Sequence, residues 1–161
     1  MILLRQTGID LTISKASKSD LVLLNRLNTQ PHTAGTIFEV PIYHGITDKH
    51  NTTVFVAKNK SELVGFASVR IIDSSGKRLA VVEHFGISPK YHRRRIGNKL
   101  LGTVNAFLIK NKVAHGNLVS SLKGMLFYPK TNWKLVSERV HKFEWVPKAN
   151  PRVKLRKKIK G

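Results

Sequence analysis

The sequence predicts an α/β fold of the α+β kind, in which helices flank a mixed, largely antiparallel sheet within a single domain. Three observations carry that reading. Short β-forming runs bounded by turn residues occupy residues 53–58, 63–72 and 78–87. A helical period follows, with Ile96, Leu100, Leu101, Val104, Phe107 and Leu108 on one face. The length of 161 residues and the apolar fraction of 41% suit one sizeable core rather than two.

Taken in order, Leu11-Thr12-Ile13 begins a strand, and the polar stretch from Lys15 to Asp20 leads into a helix. Ser19 or Asp20 can cap that helix, and Leu21, Leu24 and Leu27 share a face. Residues 28–52 are broken by Pro31, Gly35, Pro41 and Gly45. Their Ile37, Phe38, Val40, Ile42 and Tyr43 either line an acceptor pocket or form a lid over the core, and both readings stay open. The runs 53–58 and 63–72 form a hairpin through Asn59-Lys60-Ser61; a second turn at 73–77 leads to the strand 78–87, which Pro89 ends. The helix that begins at Ile96 closes near Asn111. His115-Gly116 opens a strand over 117–122, and residues 123–132 hold a short helical piece that Pro129 ends or kinks. Residues 133–140 and 143–146 read as further strands. The organisation is one domain over 1–147 and a basic tail over 148–161, with no internal repeat or linker.

Charge is the unusual quantity. Twenty-nine Lys and Arg face nine Asp and Glu, a formal net charge of +20. Residues 1–80 hold ten basic and six acidic side chains, hence +4, whereas residues 81–161 hold nineteen and three, hence +16. Such a surplus points to a polyanion, nucleic acid first, with a Lys-rich surface lacking any such partner as the plainer reading. In the tail, Arg152, Lys154, Arg156, Lys157 and Lys158 are the candidate phosphate contacts. No run approaches the roughly 18 apolar residues of a membrane span, and the N-terminus lacks a signal-peptide pattern. The absence of cysteine excludes disulfides and thiolate metal sites and is compatible with the cytoplasm. Seven histidines are scattered without ligand spacing, so no metal is expected.

Between the strand ending at Ile87 and the helix starting at Ile96 lies Tyr91-His92-Arg93-Arg94-Arg95. A strand, a basic loop and a helix start make an anion site, because the first helical turn has unpaired N–H groups at the positive end of the dipole. The whole stretch from Ile87 to Leu101, ISPKYHRRRIGNKLL, resembles the acyl-CoA-binding motif of the GNAT N-acetyltransferases, written V-x-P-x-Y-R-G-x-G-I-G-x-x-L-L with a Q/R-x-x-G-x-G/A core. His92 stands where that family prefers Gln or Arg, Arg95 where it prefers the first core Gly, and Gly97 matches. The resemblance implies acetyl-CoA as cofactor. It places the pyrophosphate on His92, Arg93, Arg94, Arg95, Ile96, Gly97, Asn98 and Lys99, and the rest of the cofactor near Phe85, Ile87 and Ser121. The element order over residues 11–146 is similar to the GNAT fold as well.

Acyl transfer to an amine needs a base for the ammonium, a donor for the oxyanion and a proton for the leaving thiolate. Strand alternation sets Glu83 on the face of Phe85 and Ile87, and His84 on the other. The resemblance gives Glu83 the base's role, against a plainer reading as a strand carboxylate paired with a lysine. A backbone N–H of Phe85 or Ile87 is the expected oxyanion donor, since a strand parted from its neighbour leaves amides free. Ser121 to Tyr128, SLKGMLFY, is similar to the family's N-x-x-A-x-x-x-Y, with Ser121 for Asn and Gly124 for Ala, and this makes Tyr128 the expected acid. Tyr128 followed by Thr131-Asn132-Trp133 also resembles the phage Mom DNA-modification proteins. The function expected is an acyl-CoA-dependent N-acetyltransferase acting on an amine on or near nucleic acid, a DNA or RNA base or aminoacyl-tRNA. The alternatives are Mom-like DNA modification, acetylation of proteins or small amines, and a non-catalytic nucleic-acid-binding module on the same scaffold.

Overall fold

The computed structural model describes residues 9–28, 51–92, 94–120 and 124–148. The region 28–52 with its five apolar candidates therefore lies, but for its first and last two residues, outside the described residues, as do Arg93, Ser121 and the tail beyond Lys148.

Among the described residues seven strands form one sheet: β1 (Leu11–Lys15), β2 (Thr52–Asn59), β3 (Glu62–Ser74), β4 (Lys77–Ile87), β5 (His115–Val119), β6 (Lys134–Ser137) and β7 (Lys142–Trp145). Their order across the sheet is β1-β2-β3-β4-β5-β7-β6, and among these strands only β4 and β5 pair in parallel. The expected mixed, mainly antiparallel sheet is what the chain builds. That one parallel pair needs a crossover, supplied by the helix α2 (Ile96–Lys110).

The runs of β2 and β3 are apolar on both sides because both faces of the sheet are covered there. Phe55, Ala67, Val69, Ala80, Val82 and Leu118 pack under Leu100, Leu101, Val104 and Leu108 of α2. On the opposite face, Val54, Val56 and Phe66 meet Leu24 of the helix α1 (Leu21–Asn28). The start of α1 differs from expectation by a turn. Ser17, not Ser19 or Asp20, is the N-cap of a 3-10 turn over Lys18–Asp20. The buried Asp20 carboxylate accepts from the Ser17 N–H at 2.8 Å and pairs with Lys58 of β2, which ties the helix start to the sheet.

The C-terminal strands are shorter than their apolar runs. β5 ends at Val119, and residues 138–141 form a turn rather than the end of a strand. β6 also carries an irregularity between Leu135 and Ser137, which shortens its usable edge. A short helix, α3 (Gly124–Phe127), runs into a 3-10 turn over Tyr128–Lys130, where Pro129 stops the α geometry. Among the described residues no helix is long and apolar enough to cross a membrane, and no group of His, Cys, Asp and Glu is arranged to hold a metal ion.

Candidate active site

β4 is the strand that positions the chemistry. Its pairing with β5 covers only Leu79 to Val82, opposite His115 to Leu118. Beyond Val82 the ladder to β5 ends, while β4 continues to pair with β3 as far as Ile87. The Ser88 N–H bonds the Val64 carbonyl at 2.8 Å, so the alternation of an antiparallel ladder turns the amides of Phe85 and Ile87 away from β3. The Ile87 carbonyl confirms this orientation by accepting from His92 Nε2 at 2.8 Å. The gap in the β4–β5 ladder is thus edged, among the described residues, by backbone N–H groups without a strand partner.

The side chains around that gap are aromatic. Phe85 stacks on Phe127 of α3 with ring centroids 5.8 Å apart, and Tyr128 meets Phe127 at 5.0 Å and Phe143 at 5.2 Å. Tyr128 is buried, and burial pushes its phenol above the ordinary tyrosine range. Among the described residues its hydroxyl has no hydrogen-bond partner, so a protonated phenol remains able to donate.

Glu83 does not share a face with Phe85 and Ile87. Val82 pairs with Val69 and His84 with Ser68, so one step on β3 spans two on β4. This bulge inserts Glu83 as an extra residue and reverses the alternation beyond it. Glu83 lies instead on the face that carries Arg70, whose Nε is 2.8 Å from its carboxylate. His84, opposite Ser68, is on that same face, against the expectation that the two would be separated. Burial pushes the His84 imidazole down to about 4, which leaves it neutral at physiological pH. The partner of Glu83 is an arginine rather than a lysine.

The basic loop is anchored at Tyr91. Its buried ring lies under the guanidinium of Arg94 at 5.8 Å and the ammonium of Lys90 at 5.6 Å. The Tyr91 hydroxyl donates to Glu62 and accepts from Asn59 Nδ2 at 3.2 Å, which fastens the loop to the β2–β3 hairpin. Arg95 is the N-cap of α2 at φ 61° and ψ 16°, the left-handed region that favours glycine. The backbone thus adopts a conformation that favours glycine although the residue is arginine. The first i to i−4 bond of α2 runs from the Lys99 N–H to the Arg95 carbonyl, which leaves the amides of Ile96, Gly97 and Asn98 outside the helical ladder.

The expected cofactor residues divide accordingly. Arg94, Arg95, Asn98 and Lys99 are exposed, His92 is engaged with Ile87, and the Ile96 side chain points into the core beside Ala57, Val64 and Tyr91, so only its amide faces outward. A Cβ on Gly97 would lie 3.4 Å from the Phe127 ring, which brings the loop against the aromatic wall of the gap. These amides, cations and the open strand edge fit a diphosphate joined to an extended amide-containing arm. Two neighbours escaped the sequence reading. Phe127 was legible as an aromatic beside Tyr128, and Arg70 as the one charge in the apolar run LVGFASVRII.

A largely antiparallel sheet with one parallel pair bridged by a helix is an α+β architecture. The model of the acetyltransferase (GNAT) family matches residues 22–120, more than half of the chain, and the chain belongs to that family. It is an acetyltransferase that uses acetyl-CoA. Among solved structures, the PaiA N-acetyltransferase from Thermoplasma acidophilum, in complex with coenzyme A, is similar at a TM-score of 0.68 and 19% identity over 86% of this chain and 100% of that one. A GNAT-family acetyltransferase from Staphylococcus aureus gives 0.69 and 13% over 86% and 99%. An aminoglycoside acetyltransferase from an uncultured soil metagenomic sample gives 0.64 and 22% over 80% and 90%. No curated protein sequence matches the chain.

Proposed function

We propose that the chain acetylates an amine presented from the face of the sheet that carries Glu83, and that the acceptor belongs to, or is bound beside, a nucleic acid. The observation that supports the site most is the end of the β4–β5 ladder after Val82, with Tyr128 packed against Phe85 beside it. Acetyl-CoA supplies an activated thioester acetyl group when bound. The Thermoplasma PaiA protein, similar in fold, is in complex with coenzyme A, which supports the same cofactor here.

In this reading the amides of Ile96, Gly97 and Asn98, with the side chains of Arg94, Arg95 and Lys99, hold the diphosphate. The Phe85 and Ile87 amides hold the extended arm and the oxyanion that develops on the carbonyl oxygen. Glu83 takes the proton that the acceptor nitrogen gives up as its bond to the acetyl carbon forms. Arg70 holds that carboxylate in place. The Tyr128 hydroxyl would supply the proton that the thiolate leaving group needs and recover one from solvent.

The charge supports the polyanionic acceptor: an excess of sixteen positive charges in residues 81–161 is far more than one coenzyme requires. The domain closes at about residue 147, and Arg152, Lys154, Arg156, Lys157 and Lys158 of the tail gather phosphates without reading sequence. Deleting residues 152–161 then weakens nucleic-acid binding and leaves coenzyme A affinity unchanged. The test of the whole reading is incubation with labelled acetyl-CoA and fractionated cell extract. Label in nucleic acid supports it. Label confined to protein or small amines retains the acetyltransferase and removes the polyanionic acceptor.

A further inference from the structure

A basic hollow lies at the opposite end of β4 from the cofactor loop. The β3–β4 turn and the end of α2 enclose an open hollow of about 640 Å³, lined by Asp73, Gly76, Arg78, Lys110, Asn111 and Lys112. Two bonds set its wall. Arg78 Nη1 donates to the Asn111 carbonyl at 2.9 Å, and its Nε pairs with Asp73 at 3.1 Å. The Ala114 N–H bonds the Arg78 carbonyl at 2.8 Å, which fixes the loop after α2 to the strand.

Asp73 is therefore committed to Arg78, and the one carboxylate in the lining is neutralised. Lys110 and Lys112 are exposed and, among the described residues, pair with no carboxylate. The cleft presents two uncompensated ammonium groups on a backbone held by a guanidinium. Nothing in the acetyl-transfer site uses them.

We infer that this cleft docks the phosphodiester backbone of the nucleic acid whose amine is acetylated at Glu83. The inference rests on the proposed polyanionic acceptor and assigns it a second, non-catalytic foothold separate from the tail. Arg78 and Glu83 are five positions apart on β4, about 17 Å at roughly 3.3 Å per residue. Arg78 is in register with Ala80 and Val82 on the α2 face, whereas Glu83 is on the other face. A strand held by its phosphates at Lys110 and Lys112 therefore passes round the end of the sheet at the β3–β4 turn to bring a base to Glu83, over a path longer than that span. Phosphates suit the cleft better than carboxylates of an acidic protein because a nucleic acid brings anions at regular short spacing, which two neighbouring lysines engage together.

The test compares Lys110→Glu, Lys112→Glu, their combination and Lys18→Glu, an identical charge change at the exposed start of α1. A labelled mixed-sequence duplex of about two turns, and a single strand of equal length, are titrated by fluorescence anisotropy between about 50 and about 200 mM salt. Coenzyme A binding by each variant reports an intact fold. Each cleft substitution is expected to lower the log–log salt slope by about one and to weaken binding roughly eightfold near 0.1 M salt, with the double change additive, while Lys18→Glu leaves the slope in place. If wild type binds and all the single variants behave alike, the cleft is no foothold, although a polyanionic acceptor stands. If wild type binds neither nucleic acid at the lowest salt, the acceptor reading falls and the cleft's role with it. If the cleft variants bind nucleic acid as wild type does but lose binding to polyglutamate, the surface is a dock for acidic protein and the inference is wrong.

Discussion

Arg95→Gly is a substitution in which the backbone and the side chain pull in opposite directions. Arg95 sits at φ 61° with no side-chain capping bond, and it is exposed. Holding a residue with a Cβ in that region costs roughly 1–2 kcal/mol. Glycine removes this cost but has about 0.4–1 kcal/mol more unfolded-chain entropy to lose. Glycine is also an acceptable N-cap. The net expectation is a protein more stable by about 0.5–1 kcal/mol, and hence a melting temperature higher by about 1–4 °C for a chain of this size. Melting of the ligand-free protein, followed by circular dichroism, gives that number. Calorimetry with coenzyme A gives the other: affinity falls, because one cation at the helix start is gone while the amides stay in place. A lower melting temperature in the variant would refute the assignment of backbone strain at Arg95, and unchanged affinity would remove its side chain from the phosphate site.

Three further outcomes follow from the geometry. Gly116→Ala places a methyl 2.9 Å from the indole of Trp133, which is buried and held by its Nε1–H on Asn105, so urea unfolding shows a loss of about 1–3 kcal/mol; a neutral result would mean that the indole moves freely. Tyr128→Phe removes a hydroxyl without a partner among the described residues, so stability and coenzyme A affinity hold while turnover drops; turnover equal to wild type, with chemistry rate-limiting, would leave Tyr128 a wall residue only. Acid destabilises the fold in two stages. His84, pushed down to about 4, refuses in the folded state a proton that the unfolded chain takes near 6.5, so stability is lost as pH falls between those values. Burial raises the Asp20 carboxyl, but its bonds to Lys58 and Ser17 together outweigh that and hold it below the usual range, so its contribution is lost at lower pH, below about 3.8. Melting against pH for His84→Gln should show the first stage flattened, and an unaltered acid limb would place its origin elsewhere.

The sheet was legible because β-forming runs and breakers agree along most of the chain. Thr53, Leu63 and Arg78 each lie within one residue of a strand start. The bulge at Glu83 was not legible, since a run such as VVEHFGI carries no mark of an extra residue and its alternation reads equally well unbroken. That single insertion moved the candidate base to the other face. The N-cap was displaced for a related reason: three serines or aspartates within Ser17 to Asp20 all suit a cap, and the Lys58 ammonium on a strand distant in sequence decides which geometry holds. Arg95 is a departure from glycine in sequence, yet its φ of 61° lies in the left-handed region that favours glycine, which the residue type alone does not announce. Pairing of Arg70 with Glu83 depends on register between two strands, which local sequence does not encode.

The central claim is that the strand edge beyond Val82 receives the acetyl-bearing arm. Residue-resolved amide hydrogen exchange, with and without acetyl-CoA, measures it directly. Slowed exchange at Phe85 and Ile87, together with Ile96, Gly97 and Asn98, is the result the structure predicts. Protection at the loop alone, with Phe85 and Ile87 exchanging as they do in the free protein, would contradict it.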